Sequence, residues 1–111
     1  MEVYFRTRKL ERMFSSQKLL QREYGQENAR FIMRRMSVLS AAPTLKQVPS
    51  TKPERRHQLQ GNRSDQFAVD VRHPYRIVFV PANDPVPVLE DGGYDLYRIT
   101  AITILAVEDY H

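Results

Sequence analysis

The spacing of apolar positions changes midway along the chain. Through residue 42 they recur every three to four residues, and from residue 55 every two. The first spacing marks helices that bury one face, the second strands half-buried in a sheet. Val3, Tyr4 and Phe5 open the chain as a short strand. Thr7 is placed to cap a helix whose apolar stripe is Leu10, Met13, Phe14, Leu20 and Tyr24, with Gly25 as its left-handed stop. A second stripe, Ala29, Ile32, Met33, Met36 and Leu39, ends before Pro43, and Arg30, Arg34 and Arg35 fall off it. Two helices meeting at Gly25 predict an antiparallel helical hairpin.

Residues 43–54 hold three prolines and read as a connection. Arg56 to Leu59 is predicted as a short strand that ends at Gly61 and Asn62. Phe67, Val69 and Val71, then Tyr75, Ile77 and Phe79, alternate with polar or smaller residues across a turn at His73 and Pro74, as in an antiparallel hairpin. Pro81, Pro85 and Pro87 break the next stretch, and Gly92 and Gly93 mark a turn. The run from Arg98 to Tyr110 is apolar on both faces through its middle, which predicts a buried, central strand. The sum is an α+β fold, β-α-α-β-β-β-β, with the helical hairpin on one face of a mainly antiparallel sheet. The length of 111 residues predicts a single domain over 1–111.

Charge sharpens this picture. Residues 1–76 carry 16 basic and 7 acidic side chains, whereas residues 77–111 carry 1 and 6. Thirteen of the 17 basic residues are arginine, whose planar fork matches phosphate oxygens at two points. A polyanion is therefore the first candidate partner. The absence of cysteine removes disulfides, thiolate nucleophiles and Cys-bound zinc. No apolar run reaches the ~20 residues of a membrane span, and the opening residues lack the apolar stretch of a secretory signal. The expected setting is the cytoplasm, with no membrane contact.

The histidines, His57, His73 and His111, show no metal-ligand spacing, so no metal or cofactor is expected. An imidazole gives or takes a proton at neutral pH, which makes His57, set among Arg55 and Arg56, a candidate for acid–base work; the alternative is a half-exposed strand histidine. His73, before Pro74, reads as a turn residue. Asp109, Tyr110 and His111 form the densest ionisable cluster; they are either acid–base groups at a strand end or a solvated tail. On a strand, Asp109 and His111 project to one side and Tyr110 to the other. Arg76 points away from Tyr75 and Ile77. It is placed either to stabilise charge on a phosphoryl group or to pair with Asp70.

The segment HQLQG, the run QFAVDVRHPYRIVFV with its Tyr75–Arg76 pair, and above all the closing VEDYH resemble HigB-type killer toxins of the RelE/ParE superfamily. The resemblance covers nearly the whole chain. The stretch between Pro81 and Tyr97 is longer than in compact members and resembles the plasmid-maintenance killer branch. The resemblance implies a ribosome-dependent mRNA endonuclease of a type II toxin–antitoxin pair, acting in the ribosomal A site without metal. The implied reaction is attack of the RNA's own 2′-hydroxyl on the adjacent phosphate. It further implies His57, Arg76, Asp109, Tyr110 and His111 as catalytic residues, leaving open which group is base and which acid. Arg55, Arg56, Gln60 and Arg63 are the implied RNA contacts, with Gln60 standing where related strands carry lysine. A monomeric free protein and a helix-turn-helix, HigA-like antitoxin complete the expectation. Two alternatives stand beside it: a non-enzymatic, ParE-like gyrase inhibitor, and a catalytically weakened relative that acts as a binding module.

Overall fold

The computed structural model of the chain describes residues 1–110, so His111 lies outside the described residues. Strand β1 (Glu2–Phe5) leads into three helices, α1 (Arg8–Phe14), α2 (Gln17–Tyr24) and α3 (Gln26–Ala41). Strands β2 (His57–Gln58), β3 (Phe67–Asp70), β4 (Tyr75–Pro81) and β5 (Ala101–Asp109) follow. The sheet order is β1-β5-β4-β3-β2, with β1 parallel to β5 and every other pair antiparallel. The α+β architecture and the interior placing of β5 agree with the sequence.

The helical region differs from the expected hairpin. The first stripe is broken in two, because Ser15 ends α1 and Ser16 caps α2 by accepting the Leu19 amide at 3.2 Å. Serine competes for backbone donors in this way and so favours helix ends. Thr7 caps α1 as expected, accepting the Leu10 amide at 3.1 Å. Gly25, at φ +88°, joins α2 to α3 in the left-handed region that its missing Cβ permits. The strand expected over Arg56 to Leu59 contracts to two residues, and Leu96–Arg98 forms a 3-10 turn ahead of β5. Arg35 does not lie on an exposed face. Only 5% exposed, it reaches from α3 to the end of β3 and donates from Nε to the Asp70 carbonyl at 2.7 Å and from Nη2 to the Val71 carbonyl at 3.2 Å.

The two faces of the sheet have different fates. Phe67, Val69, Ile77, Phe79, Ile102 and Ile104 are buried in the core that includes Leu20, Ile32 and Leu39 of the helices. The opposite face carries a small apolar patch of Leu59, Ala68 and Val78, with Leu105 packed against it. Between these faces β5 makes one irregular step: Val78 pairs with Ala106, but Phe79 pairs with Ile104. The extra residue, Leu105, shifts the phase of everything after it. Val107 thereby stays on the core side opposite Ile77, and Glu108 is brought opposite Arg76. Without the bulge, alternation from Ile102 and Ile104 would turn Glu108 and Tyr110 toward the core.

Candidate functional site

The outer sheet face collects most of the residues singled out in the sequence. In register, Asp70, Arg76 and Glu108 lie in one row across β3, β4 and β5. His57 pairs with Ala68 one row along, on the same face. Tyr110 follows Glu108 by two residues, and its amide donates to the Pro74 carbonyl at 2.9 Å, which ties Tyr110 to the β3–β4 turn.

These side chains form one continuous network. Glu108 accepts from Arg63 Nη1 at 3.0 Å and Nη2 at 2.6 Å, and from Arg76 Nη2 at 2.7 Å and Nε at 3.2 Å. The Arg76 guanidinium lies 4.2 Å from the centre of the Tyr110 ring, a cation–π contact made by a side chain only 13% exposed. The Tyr110 hydroxyl donates to Asp70 Oδ1 at 3.2 Å and accepts from Arg55 Nη2 at 3.3 Å. Arg55 grips Asp70 with Nε to Oδ2 at 2.6 Å and Nη2 to Oδ1 at 3.1 Å. The Arg76–Asp70 pairing that stood as the alternative does not form; two other pairs do, Arg76–Glu108 and Arg55–Asp70. Arg76 and Asp70 are register partners, but Glu108 of β5 takes Arg76 and Arg55, ahead of β2, takes Asp70.

The remaining residues sort by position. His57 Nδ1 is 2.8 Å from the Arg55 carbonyl oxygen. A carbonyl only accepts, so Nδ1 carries the proton, and in the neutral ring Nε2 is left with the lone pair. Gln60 is exposed before the 3-10 turn Gly61–Arg63. Arg56 turns elsewhere: its Nε donates to the Val48 carbonyl at 2.9 Å, and burial pulls its pKa below the usual arginine value. Asp109 stands opposite Tyr75, on the alternate side of the pleat from Glu108. Glu108 is the residue the sequence reading passed over. Its signal was its two-residue offset from Tyr110 inside VEDYH.

The charges set one another's ionisation. Hydrogen bonding from Arg63, opposed by burial and reinforced by Arg76, holds the Glu108 carboxyl down at about 2. Burial works to raise Asp70, but Arg55, the Tyr110 hydroxyl and the nearby His57 outweigh it, and its value falls. A depressed folded-state value means stability that is present above the ordinary carboxyl value of 4.5 and lost as pH falls through about 2. Urea unfolding between pH 6 and pH 2 is therefore expected to show a falling midpoint, and Glu108→Gln to flatten part of that fall. An unchanged acid limb in the variant contradicts the pairing. Among the described residues no group of three His, Asp or Glu side chains is arranged to hold a metal ion, and no helix is long and apolar enough to cross a membrane.

No protein-family model matches the chain, and no curated protein matches it by sequence. Solved structures do. A YoeB/ParE toxin from Agrobacterium tumefaciens superposes with a TM-score of 0.59 at 7% identity, covering 100% of both chains. A YoeB–YefM complex from Staphylococcus aureus gives 0.54 at 11% identity, and a YoeB dimer from the same organism 0.54 at 12%, each covering 100% of this chain and 97% of the other. The chain thus shares its α+β fold with these toxin structures.

Proposed function

We propose that this chain is the toxin of a type II toxin–antitoxin pair, of the HigB type within the RelE/ParE superfamily, and that it cleaves mRNA in the ribosomal A site. The observation that supports this reading most is the gathering of His57, Arg55, Arg63, Arg76 and Tyr110 on one open sheet face. The likeness of fold to YoeB/ParE toxins adds to it.

The reaction needs a base for the 2′-hydroxyl, an acid for the departing 5′-oxygen, and positive charge on the phosphoryl oxygens. His57, with its Nδ1 proton engaged on the Arg55 carbonyl, offers Nε2 for one proton transfer. His111, which lies outside the described residues, is the candidate for the other; Asp109 stands on the opposite side of the pleat from this face. Arg76 supplies the cation at the phosphate, held in place by Glu108 and Tyr110. An incoming phosphate takes over donors that the carboxylates of Glu108 and Asp70 occupy in the free protein. Arg55 and Arg63 provide the charge that Gln60 lacks. The dependence on a 2′-hydroxyl restricts the substrate to RNA. The partner in this reading is a helix-turn-helix antitoxin whose acidic surface meets the basic face; one of the similar structures is itself a YoeB–YefM complex. The setting is the cytoplasm.

Induction of the wild-type chain is expected to produce new mRNA 5′ ends, and His57→Gln to reduce them by about a hundred- to ten-thousandfold, the usual worth of one acid–base group. Intact transcripts combined with block of DNA supercoiling by the purified protein would instead establish the gyrase-directed alternative. Intact transcripts with neither effect would leave the binding-module alternative.

A further inference from the structure

Beside the site, at the ends of β3 and β4, lies an open cavity of about 330 Å³. Its lining includes Arg35, Lys52, Arg72 and His73, together with Asp70 and Tyr110 from the network above. Val71, Pro53 and Tyr75 give it an apolar floor. We propose that this cavity binds a second phosphate of the RNA strand, that of a nucleotide flanking the scissile bond. The inference rests on the function proposed above and extends it to residues outside the reacting centre.

The reason lies in the charge balance. Arg35 is a nearly buried guanidinium whose hydrogen bonds go to two carbonyl oxygens, those of Asp70 and Val71, and among the described residues no carboxylate pairs with it. A buried cation without a counter-ion makes its surroundings strongly attractive to an anion. Lys52 is exposed at the rim. Arg72 is held by Glu27 of α3 at 2.8 Å, and Asp70 by Arg55. Among the described residues that line it, and counting those two bonded partners, four cations face two carboxylates, and His73 adds a further donor. The surplus is positive and the opening admits a chain. Tyr110 lines this cavity and also stacks on Arg76, so one aromatic ring separates the cavity from the cation at the reacting centre. A strand of RNA laid over Tyr110 therefore passes from one anion site to the next, with the apolar floor under a sugar or base. An acidic protein segment is the competing occupant; the floor and the continuity with the reacting centre favour the nucleic acid.

The test is binding of a fluorescent, fully 2′-O-methylated RNA oligonucleotide, which keeps phosphates and removes the nucleophile. Lys52→Gln/Arg72→Gln is expected to weaken binding by about tenfold. The slope of log affinity against log salt should fall by about 0.7 for each phosphate that the variant no longer neutralises. Lys9→Gln/Lys18→Gln removes the same formal charge from α1 and α2 and is expected to leave both readouts nearly unchanged. Equal losses in the two double variants, or none in the first, overturn the proposal. Wild-type protein that cleaves mRNA while the first variant binds normally overturns the cavity alone, and wild-type protein that neither binds the oligonucleotide nor cuts ribosome-bound message overturns the proposed function with it. Normal RNA binding with loss of antitoxin affinity in the first variant assigns the cavity to the protein partner and likewise overturns the proposal.

Discussion

Arg76→Ala is expected to lower RNA cleavage by about a hundred- to a thousandfold, the scale seen when one preorganised donor to a developing oxyanion is removed. Arg76 is the site cation with least freedom to do anything else. Its side chain is 13% exposed, two of its nitrogens are bonded to Glu108, and its guanidinium carbon lies 4.2 Å from the centre of the Tyr110 ring. That immobility matters because a donor already oriented loses little on meeting the transition state. Arg76→Lys separates charge from geometry. Lysine restores a cation but neither the two-point fork nor the flat stacking surface, so only a small part of the rate should return. Full recovery with lysine would mean that charge alone suffices and that the stacked arrangement is incidental. Glu108 keeps its paired contact with Arg63 in both variants, so folding should persist, as circular dichroism would show.

The second large effect is on stability. Phe79→Ala should cost about 3–5 kcal/mol in urea unfolding, the range for emptying a buried aromatic site. Phe79 is fully buried on β4, lies 6.0 Å from Phe67 at an interplanar angle of 17°, and sits at the bulge where β5 changes phase. Its loss therefore empties the core and loosens the step that aims Glu108 and Tyr110 outward. Leu89→Ala, at a side chain 49% exposed, is the control and should stay within about 0.5 kcal/mol. A Phe79 variant as stable as that control contradicts the packing described.

Which of this was legible in the sequence depended on how local the cause was. The β3–β4 hairpin was readable because Phe67, Val69, Ile77 and Phe79 alternate on either side of a turn, and alternation is set by neighbouring residues alone. The break between α1 and α2 was missed because Leu10, Met13, Leu20 and Tyr24 keep near-helical spacing through it, while Ser15 donates its hydroxyl to the Glu11 carbonyl and Ser16 accepts the Leu19 amide. Arg35 read as a surface residue because its partners, the Asp70 and Val71 carbonyls, are 35 and 36 residues away. The site shows the same division. Arg76 facing away from the core followed from the period of two. Its partner did not, because the bulge at Leu105 decides which residues of the final strand reach that face, and no residue type there announces it.

The central claim is that the outer face performs 2′-hydroxyl transesterification. It is tested most directly by incubating the purified protein with ribosomes carrying a defined message and identifying the chemistry of the new ends. The expected products carry a 5′-hydroxyl on one side of the cut and a 2′,3′-cyclic phosphate on the other, and a single 2′-O-methyl group at the scissile nucleotide should abolish the cut. A message left whole by folded protein, or one cut despite the 2′-O-methyl group to give a 5′-phosphate, would contradict it.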